Sequence, residues 1–238
     1  MKQDENQVSG LQLDRIVFYG RTLSEYVQFF DLNLAEWQNR KILDCPSGAA
    51  SFVAEACKMG IDAVAGDLLF NLDANTLISK GKTDVEHVID RLASVAHLYN
   101  WEYYGDVEGL KTKRQTALQH FTQDYLIGRE VGRYIPAQLP HLPFADQSFD
   151  LVLSGHFLFT YGQNLDYDFH LQTVLEFYRV CSQQVRIYPI QGINSQLSPY
   201  VPQLISDLKH TGINVEVVTV PWKFQKGSNQ MLRLNRQK

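Results

Sequence analysis

The chain has 238 residues, of which 45% are hydrophobic and 12% aromatic, enough to build a continuous apolar core in a single domain. Its 22 basic and 26 acidic residues give a formal net charge of −4, which argues against a general attraction for nucleic-acid phosphates or anionic lipids. No stretch approaches the ~18 consecutive apolar residues of a membrane span, and three widely spaced cysteines favour a reducing compartment, so we expect a cytoplasmic protein without a membrane partner.

Residues 1–40 are expected to form a loosely ordered leader followed by one helix. The segment from Met1 to Asp14 is polar and lacks the basic-then-apolar layout of a secretory signal. Thr22 and Glu25 match a capping box, and the apolar residues behind them recur at helical spacing. A helix is therefore predicted from about residue 23.

From residue 41 the pattern changes to alternating strands and helices. A short apolar run at 41–45 predicts the first strand, and it ends in the small residues of the turn 46–50. A helix follows, which Gly60 is expected to end. The second strand is predicted at 61–66, with Asp67 at its end.

Residues 71–130 interrupt this alternation with two amphipathic helices. Asp84 is expected to cap the first helix, and the second is expected to begin near Asp106. The connection between them, residues 99–105, is unusually aromatic. The basic stretch 111–114 predicts a solvated face on the second helix. Because the block is long for a single crossover, we interpret it as a helical insertion packed on the same domain.

The alternation resumes after residue 130. Apolar runs predict five further strands, and the proline in the first of them favours an edge position; the runs are 134–138, 149–154, 185–189, 213–220 and 231–235. Asp166 or Asp168 is expected to cap one helix, and Ser198 to open another. This order predicts an α/β fold: a doubly wound, mostly parallel seven-stranded sheet, with helices on both faces and a helical insertion after the second strand.

Such sheets bind ligands beyond the carboxyl ends of the central strands, where the strand order reverses. Asp44 ends the first strand, and the small residues of the turn 46–50 let a ligand approach the backbone and the helix N-terminus. Asp67 lies about twenty residues beyond, where nucleoside-binding sheets place an acid that binds the ribose hydroxyls. Each feature taken alone also fits an ordinary turn of small residues or a solvated acid at a strand end.

A third motif lies before and within the predicted fourth strand. Leu142-Pro143-Phe144 and Phe149-Asp150-Leu151-Val152, combined with the two features above, resemble class I S-adenosylmethionine-dependent methyltransferases over residues 41–70 and 133–236. The resemblance implies a Rossmann-like methyltransferase fold, with S-adenosyl-L-methionine as cofactor and S-adenosyl-L-homocysteine as its product. Within the superfamily the chain is similar to uncharacterised bacterial members, so the resemblance implies no particular acceptor.

The resemblance implies roles for the residues that match the first two motifs. Asp44 and the backbone of Ser47, Gly48 and Ala49 would hold the methionine part of the cofactor. Asp67 would bind the ribose. The family usually has three alternating glycines after the acid, and only the middle one is present here, so the cofactor would bind in a modified pose or weakly.

Other matching positions would contact the adenine and the methyl group. Leu68 would pack on the adenine, and Gln138 and Leu139 stand where many members have an Asp and a small residue that read the adenine edge. Ser154, just after the fourth strand, would lie near the transferred methyl group.

The acceptor site is expected at the same edge of the sheet. His156 is the candidate general base, and Tyr161 would orient the acceptor. Trp101, Tyr103 and Tyr104 form an aromatic wall in one interpretation and the core of the inserted helices in the other. A purely structural role for His156, in packing or in a hydrogen bond, stays open as the alternative.

Several other functions are disfavoured by the sequence. No G-x-G-x-x-G fingerprint of a nicotinamide or flavin oxidoreductase is present. No Asn-Pro-Pro-Tyr-type element follows the fourth strand, which argues against methylation of exocyclic base amines. Asp166, Asp168 and His170 alternate like metal ligands, but we interpret the aspartates as helix caps and expect no metal.

Together the motifs predict methyl transfer to an acceptor, most simply a small molecule, by in-line displacement. The insertion 71–130 would act as a lid over the acceptor site. Two alternatives stay open. The reduced glycine loop allows a non-catalytic regulatory protein that binds S-adenosylmethionine or a nucleoside, and a methylase of RNA or protein would require a basic or extended groove around the insertion.

Overall fold

The computed structural model describes residues 10–236, and its central element is one β-sheet. The strands are β1 (Lys41–Asp44), β2 (Asp62–Asp67), β3 (Tyr134–Pro136), β4 (Phe149–Gly155), β5 (Cys181–Tyr188), β6 (Asn214–Thr219) and β7 (Gln230–Asn235). Their order across the sheet is β3-β2-β1-β4-β5-β7-β6. Strands β1 to β5 are parallel, and β7 runs antiparallel to both β5 and β6. The predicted mostly parallel, seven-stranded α/β sheet is confirmed.

Helices pack on both sides of this sheet. They are α1 (Leu23–Phe29), α2 (Phe52–Lys58), α3 (Ala74–Ala93), α4 (Val107–Glu130), α5 (Tyr167–Val180) and α6 (Val201–His210). One core cluster joins the sheet to α1 through α4, and a second joins it to α5 and α6. The two long helices α3 and α4 follow β2, as predicted for the helical insertion. None of the helices within residues 10–236 combines the length and apolarity needed to cross a membrane.

The strand order reverses between β1 and β4, which places the ends of the central strands around one crevice. Asp44, the last residue of β1, is in register with Ala65 of β2 and Leu153 of β4. Asp67, the last residue of β2, pairs with Pro136 on the edge strand β3. The two acids predicted to face a ligand therefore share this edge of the sheet.

Two predicted helix starts are wrong. Asp73, not Asp84, caps α3, and its carboxylate accepts the N–H of Thr76 at 3.0 Å. The first turns of α3 are mostly polar, so their helical character left no apolar stripe in the sequence. Asp84 instead lies buried inside α3. Helix α6 begins at Val201, so Ser198 precedes the helix rather than capping it.

The start of α1 follows the predicted capping box. Thr22 is the N-cap, and its backbone N–H donates to Glu25 Oε2 at 2.8 Å. Asp106 caps α4, as predicted, by accepting the N–H of Gly109. Local capping chemistry therefore positions both helices that enclose the crevice.

Candidate functional site

A cavity of about 560 Å³ lies at the carboxyl ends of β1, β2 and β4. Its floor comes from the turns that follow these strands. Its roof comes from the N-terminal segment 11–21, from α3 and α4, and from the loop at 222–225. The cavity thus occupies the position that the strand order predicts for a ligand.

Asp67 is a buried acid that faces this cavity and already has two backbone partners. Its Oδ1 accepts the N–H of Leu69 at 2.9 Å, and its Oδ2 accepts the N–H of Gly48 at 2.9 Å. Burial raises the pKa of its carboxyl group, while the two N–H donors oppose that rise. Each carboxylate oxygen has a second lone pair, so Asp67 retains acceptor capacity towards the cavity.

The turn after β1 uses its N–H donors within the protein. The N–H groups of Ser47, Gly48, Ala50 and Ser51 donate to protein oxygens at 2.9 to 3.2 Å. Helix α2 begins only at Phe52. The expectation that this turn offers a set of free N–H groups to a ligand is therefore wrong for these four positions.

Gly48 has a clear reason to be the glycine that remains in the turn. Its φ is +56°, and a Cβ there would lie 3.0 Å from the carbonyl oxygen of Tyr19. A side chain would meet both backbone strain and the N-terminal segment. Ser47 and Gly48 line the cavity, whereas Ala49 is buried with its carbonyl oxygen against Gly20.

Asp44 lies beneath the cavity floor rather than in it. Its side chain is fully buried, and its Oδ2 accepts the hydroxyl of Tyr26 at 2.9 Å. Its Oδ1 has no partner among residues 10–236. Burial raises its pKa well above the usual range, and the negative charge of Asp67 adds to the rise. Tyr26 lines the cavity and lies between the cavity and Asp44. Asp44 therefore does not contact the cavity directly.

The other residues predicted to bind the cofactor divide into two groups. Leu68, Gln138 and Leu139 line the cavity, and Leu68 is 49% exposed, which leaves an apolar surface for a flat ring. Ser154 is fully buried in β4, its hydroxyl has no partner in the described part of the chain, and it does not line the cavity. Successive side chains of a strand point to opposite faces of the sheet, and that of Ser154 points into the buried interior beside β4.

His156 stands where β4 leaves the sheet, and it lines the cavity. Its φ is +54°, a strained backbone conformation of the kind that clusters at functional sites. The ring packs edge-on against Phe29 and Tyr188, and its Nε2 has no partner among the described residues. Burial lowers its pKa well below 6.5, and the positive charges of Arg21 and Arg114 lower it further. The ring is therefore neutral at physiological pH.

Tyr161 also lines the cavity, on the side of the N-terminal segment. Its hydroxyl accepts the backbone N–H of Val17 at 3.3 Å. Burial raises its pKa, so the hydroxyl stays protonated at neutral pH. His156 and Tyr161 thus face the same cavity.

The aromatic wall differs from the predicted one. Of Trp101, Tyr103 and Tyr104, only Tyr104 lines the cavity. The indole N–H of Trp101 donates to the Ala96 carbonyl at 2.9 Å, and Tyr103 is 39% exposed with its hydroxyl on Ser24.

Three aromatic residues that the sequence analysis did not assign complete the wall: Tyr99, Trp222 and Phe224. Two of them lie in the loop before β7, which the sequence analysis treated only as a connection. Large aromatic residues in a loop usually pack against another element. The presence of Trp222 and Phe224 in an otherwise polar loop was therefore the signal that could have placed them at the cavity.

A buried ion pair also escaped the sequence analysis. Arg114 of α4 is 2% exposed and pairs with the fully buried carboxylate of Glu25 in α1. It also bonds the Tyr104 hydroxyl and the Gly20 carbonyl oxygen. The prediction that 111–114 is a solvated face is therefore wrong for Arg114. Its spacing of four residues from both Leu110 and Leu118, on the apolar stripe, was the signal.

The alternating residues Asp166, Asp168 and His170 lie at the start of α5, where the sequence analysis expected helix caps. Asp166 caps α5, and its Oδ1 accepts the N–H of Phe169 at 2.9 Å. The two ring nitrogens of His170 lie 2.7 Å and 3.0 Å from the backbone carbonyl oxygens of Asp166 and Leu158, and the nitrogen that carries the proton donates to its neighbour. Within residues 10–236, no three His, Cys, Asp or Glu side chains come together to hold a metal ion.

Comparison with known proteins gives one relative in sequence. The chain is 32% identical over 227 residues to the uncharacterized protein MJ0045 of Methanocaldococcus jannaschii, an alignment that covers 95% of this chain and 99% of the relative. This relative is archaeal, so similarity to a bacterial subgroup stays a prediction. No protein-family model matches the sequence.

Solved structures with similar folds include two S-adenosylmethionine-dependent methyltransferases. The one from Aquifex aeolicus is 15% identical, with 88% of this chain and 90% of that chain covered and a TM-score of 0.43. The TehB-like enzyme from Corynebacterium glutamicum is 15% identical, with 84% and 82% covered and a TM-score of 0.46.

Proposed function

This chain belongs to the family of the archaeal protein MJ0045, and we propose that it is an S-adenosylmethionine-dependent methyltransferase that acts on a small molecule. The observation that carries the proposal is the cavity itself. It joins the turn after β1, Asp67 at the end of β2 and Gln138 after β3 to His156 at the end of β4. If the nucleoside of S-adenosylmethionine bound at the turn, Asp67 and Gln138, its sulfonium would lie on the side of His156.

The residues around the cavity fit this cofactor. Asp67 offers carboxylate oxygens to the ribose hydroxyls, and Leu68 with Leu139 offers apolar surface to the adenine. The amide of Gln138 can pair with the adenine edge. Four N–H groups of the turn 46–51 donate to oxygen atoms of the protein. We therefore infer that the turn holds the methionine part of the cofactor mainly by its shape.

The cofactor would supply a methyl group that is already electrophilic on sulfur. The chain's own contribution is then to orient an acceptor, exclude water and accept a proton where the acceptor carries one. Neutral His156, with its free Nε2, can take that proton. The Tyr161 hydroxyl can donate to or accept from the acceptor, and the apolar residues of the segment 11–19 and of α3 exclude water.

A small acceptor is favoured because the N-terminal segment and the insertion both cover the cavity. We therefore propose no nucleic-acid partner and retain the inferred cytoplasmic location. One alternative has a specific observation in its favour. The internal use of N–H donors in the turn 46–51 would suit a protein that binds the nucleoside without turnover.

The experiment that tests the proposal is thermal unfolding with S-adenosylmethionine, S-adenosylhomocysteine, NAD or ATP added singly. A ligand at a hundred times its Kd adds about 2.7 kcal/mol, a shift of several degrees. Stabilisation by the two sulfur nucleosides alone supports the proposal, and stabilisation by NAD alone contradicts it. Transfer of a radiolabelled methyl group to a small-molecule extract, with the Asp67→Ala variant as blank, then separates an enzyme from a binding protein.

A further inference from the structure

Arg21 is a cation on the cavity wall that has no counter-ion among residues 10–236. It is half-buried, lines the cavity, and lies with its guanidinium 5.6 Å from the centre of the Tyr19 ring. No side chain within residues 10–236 forms an ion pair or hydrogen bond with that guanidinium. Burial lowers its pKa, and the charge of Arg114 lowers it further, as expected for a cation with no partner of its own.

The other cations at the cavity are compensated. Lys80 pairs with buried Asp84 at 3.0 Å, and Arg114 pairs with Glu25. The charges of Arg114 and Glu25 cancel, and Asp67, the acid on the cavity lining, accepts the N–H groups of Leu69 and Gly48 rather than the guanidinium of Arg21. A charge held among apolar and aromatic side chains is costly unless an opposite charge joins it. The guanidinium of Arg21 is therefore the group on the lining that can receive one negative charge.

The position of Arg21 places that charge between the two halves of the proposed site. Its carbonyl oxygen accepts the N–H of Ser51 at 3.0 Å, and Gly20 before it packs directly on the Ala49 carbonyl. These contacts fix Arg21 beside the turn 46–51. On its other side, its charge reaches the rings of His156 and Tyr161, where it opposes the effect of burial on Tyr161 and adds to it on His156.

We propose that Arg21 is the carboxylate-binding residue of the cavity. This inference rests on the proposed function and names the chemistry that the function needs at this point. The guanidinium fork matches a carboxylate in a bidentate arrangement, and the single uncompensated charge matches a monoanion rather than a phosphate dianion. The carboxylate has two possible sources, namely the methionine part of the cofactor and the acceptor.

Calorimetric titration of the full chain distinguishes these sources. The variants are Arg21→Gln and Arg21→Lys, where lysine keeps the charge and loses the fork, and the matched control is Arg129→Gln on the exposed face of α4. Each protein is titrated with S-adenosylmethionine and with its decarboxylated form. Each is then saturated with S-adenosylhomocysteine and titrated with benzoate and with neutral benzamide.

If the cofactor supplies the carboxylate, Arg21→Gln weakens the binding of S-adenosylmethionine by about tenfold or more and leaves the affinity for its decarboxylated form unchanged. If the acceptor supplies it, Arg21→Gln spares both cofactor forms and abolishes the preference for benzoate over benzamide. Arg21→Lys shows the same pattern with a smaller loss, which keeps the test valid if the glutamine variant does not fold.

The inference is overturned if the wild type binds S-adenosylmethionine and both Arg21 variants bind every ligand with the wild-type affinity. A wild-type protein that binds neither cofactor form gives a different result, because the proposed function then fails and this inference falls with it. Weakening by Arg129→Gln as well would assign the effect to net charge and would also overturn the inference.

Discussion

The Oδ2 atom of Asp67 accepts the backbone N–H of Gly48 at 2.9 Å, and this bond joins two motifs that lie nineteen residues apart. The acid at the end of β2 thus shapes the turn after β1. In a turn with three alternating glycines, more N–H groups could face a ligand; here Pro46 has none and Gly48 gives its own to Asp67. We infer that Asp67 anchors the turn and also presents the main polar surface to a ribose.

Replacing Asp67 by alanine is therefore expected to weaken S-adenosylmethionine binding by at least about tenfold, because a charged acceptor for the ribose is lost. The measurement is the calorimetric Kd at pH 7. The matched control is Asp73→Ala, which also removes a carboxylate that accepts a backbone N–H, but at the start of α3. Asp73→Ala should lower the unfolding free energy, because the N-cap of α3 is lost, and leave the Kd unchanged. Equal affinity of Asp67→Ala and wild type would exclude the ribose role.

Replacing His156 by alanine tests the proton acceptor. We expect the Kd for the cofactor to stay within about twofold and kcat to fall by about 10²- to 10⁴-fold for an acceptor that arrives protonated. Since burial holds the pKa of His156 well below 6.5, the loss of wild-type activity on its protonation should appear only in acid, below that value. The pH dependence of kcat checks this.

His170 is the control for that experiment, because its ring nitrogens face the backbone carbonyl oxygens of Asp166 and Leu158 and it does not line the cavity. His170→Ala should lower the Tm and leave kcat unchanged at a temperature where the variant is folded. A His156→Ala variant that lost stability and cofactor affinity together would behave as a structural histidine.

Hydrophobic pattern and motif order were sufficient to predict the sheet. Seven apolar runs, punctuated by small residues and caps, gave the strand count, the edge position of β3 and the acids at the ends of β1 and β2. These features are local, since each depends on residues a few positions apart. The strand-end positions of Asp44 and Asp67 follow from the same local pattern.

The roof of the cavity could not be predicted in that way, because its contacts are distant in sequence. Glu25 and Arg114 are separated by 89 positions, and the Phe18 N–H reaches Asp84 across 66. A capping glutamate and a basic stretch at the start of a helix each have a complete local explanation, so nothing nearby in the sequence indicates that Glu25 buries its charge against Arg114. The Tyr26 hydroxyl on Asp44 was hidden for the same reason.

The Glu25–Arg114 pair is expected to make a large contribution to stability when only one partner is removed. Arg114→Met would leave the Glu25 carboxylate buried without its cation, which costs about 3–5 kcal/mol. The control is the surface ion pair between Lys111 of α4 and Glu86 of α3, and Lys111→Met should leave the unfolding free energy almost unchanged. Urea unfolding monitored by circular dichroism measures both.

The same pair predicts a loss of stability in acid. Burial raises the pKa of Glu25, but Arg114 outweighs it and holds that pKa at about 2. A depressed carboxyl pKa stabilises the fold above the unfolded value of about 4.3 and loses that contribution as the pH falls towards 2. The unfolding free energy of the wild type should therefore decline over this interval more steeply than that of Glu25→Gln. Parallel curves would contradict the assignment.

Asp44 makes the opposite prediction, because its pKa is raised rather than lowered. Burial, reinforced by the charge of Asp67 and opposed by the Tyr26 hydroxyl, keeps its proton bound in the folded protein at pH values where the unfolded chain has released it. The folded state then binds more protons, so its stability is greatest below the unfolded pKa of about 3.9 and falls as the pH rises through the folded pKa.

Asp44→Asn removes this titration and retains the shape of the side chain. We therefore expect the unfolding free energy of the wild type, relative to Asp44→Asn, to decrease as the pH rises above about 4. The matched control is Asp62→Asn, which removes a carboxylate at the exposed start of β2. If the wild type instead gained stability over Asp44→Asn as the pH rose, Asp44 would be an ionised residue in the fold, and its role beneath the cavity would be that of a fixed negative charge.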